Sequence, residues 1–269
     1  MKIIISHDVD HITVWEHKKD FIIPKFIVRN FIEFALGYIS ASEMRSRFKS
    51  IIKNKWQNLE ELMNFDKENK VPSTFFVGVS KGKYLNYSLK DSRFWINRIL
   101  REGFDVGVHG IAYKDFNSIK KEYEIFKKLS GLERFGIRIH YLSNSENTVN
   151  FLEEAGYLFD SSSYAMRNPY KVGGLWEFPL HIMDAYVFYK NSRWQNQNLE
   201  QARANTKRVI DDLQKNGINY ITVLFHDRYF SDGFRSWKNW YIWFSNWCKE
   251  NGFEFINYRK AVQELEKTK

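Results

Sequence analysis

The sequence predicts an α/β fold, a single-domain barrel of parallel strands. Three observations carry that reading: β-rich runs alternate with helical patterns, glycine closes the helices, and polar residues stand where the runs end. The β-rich runs are Lys2–Ser6, Ser73–Val77, Phe104–Val108, Phe135–Ile139, Tyr157–Phe159, Trp176–Phe178, Ile182–Val187, Tyr220–Phe225 and Phe253–Ile256. Helices are expected over Arg93–Arg101, Ser118–Leu129, Ser145–Ala155 and Leu199–Lys215, with Gly103, Gly131, Gly156 and Gly217 as stops at or just beyond their ends.

Residues 11–70 separate the first two runs and are far longer than one crossover requires, so they read as an insertion of at least two helices within a domain spanning 1–269. Inside it, residues 21–39 carry Phe26, Ile27, Phe31, Phe34 and Tyr38 among Lys25 and Arg29. That pattern suits a helix packed on the barrel, or one lying in the interface of an anionic membrane. A second aromatic stripe, from Phe234 through Trp237, Trp240, Tyr241, Trp243, Phe244 and Trp247, suits core, with a sugar-stacking platform as the other reading.

Composition narrows the function classes. With 43% hydrophobic and 17% aromatic residues among 269, the chain is neither disordered nor collagen-like. The net charge of +9 suggests an anionic partner. Lys and Arg are spread along the whole length, which argues against nucleic acid. The single Cys248 cannot form an internal disulfide and fits a reducing compartment. Met1–Ser6 leads straight into His7 with no apolar signal core, and Lys25, Arg29, Asn30 and Glu33 interrupt the longest apolar stretch. The expectation is a cytoplasmic protein, peripheral at the inner membrane face through residues 21–39.

Five strand ends bring chemistry to one rim. Asp8 and Asp10 are two apart, so in extended chain they share a face and could hold a cation beside a general base. His109 leaves a buried run into a glycine-flanked loop, where a neutral imidazole is a good zinc ligand. Arg138 and His140 close the fourth run, and Asp160 follows the fifth, placed to pair with Arg138. His226, after Ile221–Phe225, suits a general acid near neutral pH. His181 and Asp184 either face the same mouth or hydrogen-bond within it. Each residue alone has an ordinary structural reading, such as a solvated acidic loop or an ion pair. Their convergence favours a site.

Taken together, these residues resemble the polysaccharide deacetylases, the NodB-homology group also called carbohydrate esterase family 4. The resemblance runs from Ile3 to about Phe255, interrupted by the insertion. Ser6-His7-Asp8-Val9-Asp10 is similar to the first family motif, and Ser73–Val77 to the second core strand. His109-Gly110-Ile111-Ala112-Tyr113 is similar to the second motif, His-Ser/Thr-x-x-His, with Tyr113 where the second histidine stands. Arg138-Ile139-His140-Tyr141 resembles Arg-x-Pro-Tyr/Phe with His140 for proline, Asp160 the acidic residue of the fourth motif, and Leu224-Phe225-His226 the fifth.

The resemblance implies a distorted (β/α) barrel of about seven parallel strands, a divalent metal, usually zinc, and removal of N- or O-acetyl groups from glycans. It makes Asp8 the general base, Asp10 and His109 metal ligands, Arg138 the orienter of the base and His226 the acid. The Tyr141 amide would hold the oxyanion, Leu224 would line the acetyl pocket, and Asp160 and His140 would contact substrate. The third ligand stays open among His11, His140, His181 and a water. The expected function is a metal-dependent amide hydrolase, or esterase, acting on an acetylated sugar of a polysaccharide or glycan precursor. The alternative is a catalytically degenerate barrel that binds a glycan or a partner protein.

Overall fold

A computed structural model describes residues 1–82, 84–190, 192 and 194–267. The chain opens with β1 (Lys2–Val9), in which seven of eight residues are buried. The insertion then supplies a 3-10 turn at Trp15–His17 and the helices α1 (Ile22–Ala35), α2 (Ala41–Ile52) and α3 (Leu59–Glu68). Strands and helices next alternate: β2 (Thr74–Val77), α4 (Leu89–Arg101), β3 (Asp105–Gly110), α5 (Phe116–Ser130), β4 (Ile137–Ile139), α6 (Thr148–Ala155) and β5 (Phe159–Asp160). Three short strands follow, β6 (Tyr170–Val172), β7 (Leu175–Glu177) and β8 (Ile182–Met183), then α7 (Asp184–Tyr189) and α8 (Leu199–Lys215). The chain ends with β9 (Tyr220–Leu224), α9 (Arg235–Glu250), β10 (Glu254–Ile256) and α10 (Tyr258–Lys267).

The strands form one curled, mostly parallel sheet in the order β6-β7-β5-β4-β3-β2-β1-β9-β8, with β10 beside the start of β1. Only β6 runs antiparallel, against β7. Between β7 and β8 the chain crosses from one edge of the curl to the other. The Phe178 amide donates to Asp160 O (2.8 Å) and Leu180 to Ser163 O (2.7 Å), whereas His181 donates to Thr222 O (3.2 Å). A half-barrel results, with the C-terminal ends of β1, β3, β4 and β9 gathered at one mouth.

The curled, mostly parallel sheet is that of a distorted (β/α) barrel; among the described residues it has ten strands, nine of them at the nine β-rich runs, and the tenth is the short antiparallel edge strand β6. The strand expected over Ile182–Val187 is two residues of β8 followed by α7. α4 begins four residues earlier than expected, because Ser88 and Asp91 form a reciprocal capping box, a device worth about 1 kcal/mol.

The α9 stripe is core on the face of Trp237, Trp240, Tyr241 and Phe244, at 3–4 residue spacing, while Trp243 and Trp247 are half-buried and stack on each other at 5.7 Å. α1 packs on the barrel through Phe26, Asn30 and Glu33. Glu33 pins it there: its carboxylate accepts from Arg29 Nε (2.7 Å), Arg47 Nη1 (2.6 Å) and the Gln195 amide (3.0 Å). Phe21, Val28, Phe31 and Phe34 of the same segment face solvent. No helix among the described residues is long and apolar enough to cross a membrane.

Candidate active site

Alternation along β1 sorts its side chains. His7 turns outward into the helical layer, where its ring meets Phe225 O (2.8 Å) and Asp66 (2.9 Å). Ser6 and Asp8 turn inward to Arg138, whose Nη1 donates to Ser6 Oγ (2.8 Å) and Asp8 Oδ1 (3.3 Å). The rest of that buried guanidinium donates to Ser161 and to the Tyr258 hydroxyl (2.8 Å). Every bond fixes the plane in which it meets Asp8. At the end of β1 the Tyr87 hydroxyl donates to Val9 O (2.8 Å) and accepts from the Gly78 amide (2.6 Å), which sets where Asp10 leaves the strand.

β3 and β4 are adjacent, with His109 paired in register to Arg138. The Nδ1 of His109 bonds to Arg138 O (3.0 Å), so the proton belongs on Nδ1 and the Nε2 lone pair faces the mouth. Nε2 lies 3.1 Å from Asp10 Oδ1 and 2.8 Å from His140 Nδ1, and His140 Nδ1 is 3.2 Å from the same Asp10 oxygen. Three donor atoms thus converge, one carboxylate oxygen and two imidazole nitrogens. Tetrahedral zinc with bonds of about 2.1 Å holds its ligands about 3.4 Å apart, so the triangle need widen by only a few tenths of an ångström. The donor set fits zinc or a similar divalent cation. Burial alone would raise the Asp10 pKa, but His140, His109 and His226 hold it well below the ordinary carboxylate range.

On the other side stands His226, just past β9. Its Nδ1 faces both oxygens of Asp184 (2.9 and 3.1 Å), and its amide donates to the same carboxylate (2.7 Å). Nε2 points toward Asp10 Oδ2 at 3.6 Å. Burial opposes a charge on this ring, but Asp184, then Asp10 and Asp8, raise its pKa to about 10.

No protein-family model matches the chain, and no curated protein sequence matches it. Solved structures do. A protein from Mycobacterium smegmatis classed as a polysaccharide deacetylase superposes with a TM-score of 0.67 at 16% identity, covering 99% of this chain and 90% of its own. The fold is that of the polysaccharide deacetylases. An allantoinase superposes with a TM-score of 0.68 at 14% identity and the same coverage, 99% and 90%. A carbohydrate esterase family 4 pseudoenzyme from Bacillus anthracis gives 0.51 at 10% identity, covering 97% of this chain and 65% of that one.

On this deacetylase fold the mouth opens into a cavity of about 990 Å³ lined by Asp8, Asp10, His140, Tyr141, Leu224 and His226, and roofed by α1 of the insertion. Tyr141 and Leu142 both adopt left-handed backbone, with φ of 59° and 51°, a strained conformation for residues with side chains. The turn brings Tyr141 to the cavity wall.

Several residues singled out in the sequence stand elsewhere. Asp160, expected at the substrate, is buried away from the cavity lining and hydrogen-bonds Ser162, its neighbour being Glu177. Burial, then the Asp160 carboxylate, raises the Glu177 pKa far above the ordinary range, so the pair holds a proton. His181 bonds Thr222 Oγ1 and Arg167 O, both at 3.1 Å, below a different surface pocket. His140, expected as a substrate contact and as one candidate for the third ligand, lines the cavity and joins Asp10 and His109. Tyr113 lines a separate pocket with Ser80 and Glu122. His11 is grouped with Glu16 and His17, whose polar atoms are engaged by the Ile12 and Thr13 amides and by Asp20. The part played by Asp184 was visible only as one of two readings, and Tyr87 and Tyr258 carry no sequence signal at all, since a buried tyrosine reads as core.

Proposed function

We propose that this chain is a metal-dependent hydrolase that removes an acetyl group from an N- or O-acetylated saccharide. The convergence of Asp10, His109 and His140, flanked by Asp8 and His226 over one cavity, carries the reading. The two departures from the family motifs complement each other: the histidine missing at Tyr113 is replaced by His140, where the third motif has proline. The third ligand moves from the loop after β3 to the end of β4 and the ligand set stays complete.

Asp10, His109 and His140 would hold the cation, zinc by its donors. When bound, it supplies Lewis acidity to the acetyl carbonyl and lowers the pKa of water. Asp8 takes the proton of the attacking water, and Arg138 holds the Asp8 carboxylate in place. The Tyr141 amide donates to the developing oxyanion, a contact of the kind worth about 2.7 to 4 kcal/mol. His226, oriented and kept cationic by Asp184, gives its proton to the leaving amine or alcohol. Leu224 closes the wall around the acetyl methyl.

The alternative, a degenerate barrel that binds glycan without turnover, draws on Tyr113 and would lose its main support with His140 as the third ligand. The expected contact of residues 21–39 with an anionic membrane gains no support from the fold or its neighbours. The test is acetate release from a panel of acetylated saccharides by protein loaded with zinc, cobalt or nickel. Release that disappears with a chelator and in Asp8→Asn supports the reading; a metal-loaded chain that releases none overturns it.

A further inference from the structure

The cavity has a second charged region, remote in kind from the acidic one. Arg228, on the 3-10 turn Asp227–Tyr229 after β9, and Arg29 of α1 both line it, and Arg47 of α2 belongs to the same cluster. Among the described residues Glu33 is the one carboxylate hydrogen-bonded to any of the three, through Arg29 Nε at 2.7 Å and Arg47 Nη1 at 2.6 Å. Two guanidiniums share one carboxylate, and among the described residues the third has none. Arg228 has no ion pair among the described residues; its guanidinium carbon lies 4.2 Å from the centre of the Trp56 ring and 4.5 Å from that of Phe26. Its Nε is buried without a hydrogen-bond partner, as is Nη2 of Arg29. Burial, and after it the charges of Arg29 and Arg47, push the Arg228 pKa down to about 10.

A charge taken out of water without a partner is costly, and two aromatic faces fix the plane of Arg228 without neutralising it. A planar guanidinium that lines a cavity and makes no hydrogen bond among the described residues matches the paired oxygens of a carboxylate or phosphate. We propose that Arg228, with Arg29 beside it, forms an anion subsite, so that the acetylated saccharide taken by this cavity carries a phosphate or carboxylate group. The location of the acetyl end rests on the deacetylase reading; the anion contact does not.

The test is calorimetric titration of zinc-loaded Asp8→Asn protein, which removes the proposed base, with N-acetylglucosamine, its 1-phosphate and N-acetylmuramate. The expected result is at least tenfold tighter binding of one or both anionic sugars than of the neutral one, and loss of that preference in the Asp8→Asn, Arg228→Gln double variant. The tighter of the two anions assigns the group as phosphate or carboxylate. Equal binding of all three sugars, or a preference that survives Arg228→Gln, overturns the proposal. Arg228→Lys, which keeps the charge and loses the paired donors, gives a reduced preference and serves if the glutamine variant does not fold. Binding is read without turnover, so failure here leaves acetate release untouched, and absent acetate release leaves this preference intact.

Discussion

His109 Nε2 and His140 Nδ1 lie 2.8 Å apart, delivered by the ends of two adjacent strands, and Asp10 closes the triangle from the end of β1. Two imidazole nitrogens that close in a buried place either share a proton or share a cation. The bond from His109 Nδ1 to Arg138 O commits the His109 proton to the far side of its ring and leaves Nε2 a lone pair, the form in which an imidazole binds a cation. His140→Ala is therefore expected to weaken zinc binding by at least tenfold in a competition titration with a chromophoric chelator. Tyr113→Phe is expected to leave it unchanged, because Tyr113 lies in another pocket.

The Asp184–His226 contact sets a pH limb. His226 must be protonated to serve as the acid, and its raised pKa keeps it so through neutral pH, with activity falling as pH rises through that value. Asp184→Asn removes the main raising influence, so the basic limb of kcat is expected to move to lower pH by at least one unit. His226→Ala is expected to lower kcat by roughly 10²- to 10⁴-fold. An unshifted limb in Asp184→Asn would mean that another group gives up the proton.

Arg138 is a wholly buried cation whose donors are taken by Asp8, Ser6, Ser161 and Tyr258. Arg138→Met leaves the Asp8 carboxylate buried without its partner, and breaking such a pair costs about 3 to 5 kcal/mol. Urea unfolding is expected to show a loss of that size. Asp8→Asn, which keeps the shape and removes the charge, is expected to cost less stability while abolishing turnover.

Asp160 and Glu177 make a prediction about stability alone. The folded-state pKa of Glu177 lies above its unfolded value, so its contribution is fully present below the ordinary carboxylate range and is lost as pH rises toward the folded pKa. Glu177→Gln is expected to flatten the decline of stability across neutral to mildly basic pH, measured by urea unfolding at several pH values. Acetate release at pH 7 is expected to persist, since neither residue lines the cavity.

Much of this was legible because β1, β3, β4 and β9 carry strong apolar runs, and a residue that follows such a run in a parallel sheet has only one rim to reach. Asp8, Asp10, His109 and His226 reach that rim in this way. The motif analogy misled at Asp160, whose buried surroundings are made by β7, a strand paired with β5 only in three dimensions. His140 stayed one of several candidates for the third ligand, because the distance between neighbouring strand ends is not written in either strand. Ile182–Val187 looks β-rich by composition, yet the Asp184 carboxylate meets both the ring and the amide of His226 where the chain turns into α7. The Arg29–Arg47–Arg228 cluster joins two insertion helices to the loop after β9, a contact that no local pattern announces.

The relocated third ligand is tested most directly by anomalous diffraction at the zinc edge from crystals of the zinc-loaded protein. One peak is expected, about 2.0 to 2.2 Å from an Asp10 oxygen, His109 Nε2 and His140 Nδ1. Zinc bound by Asp10 and His109 with His140 turned away, or no zinc density between these three residues, would contradict it.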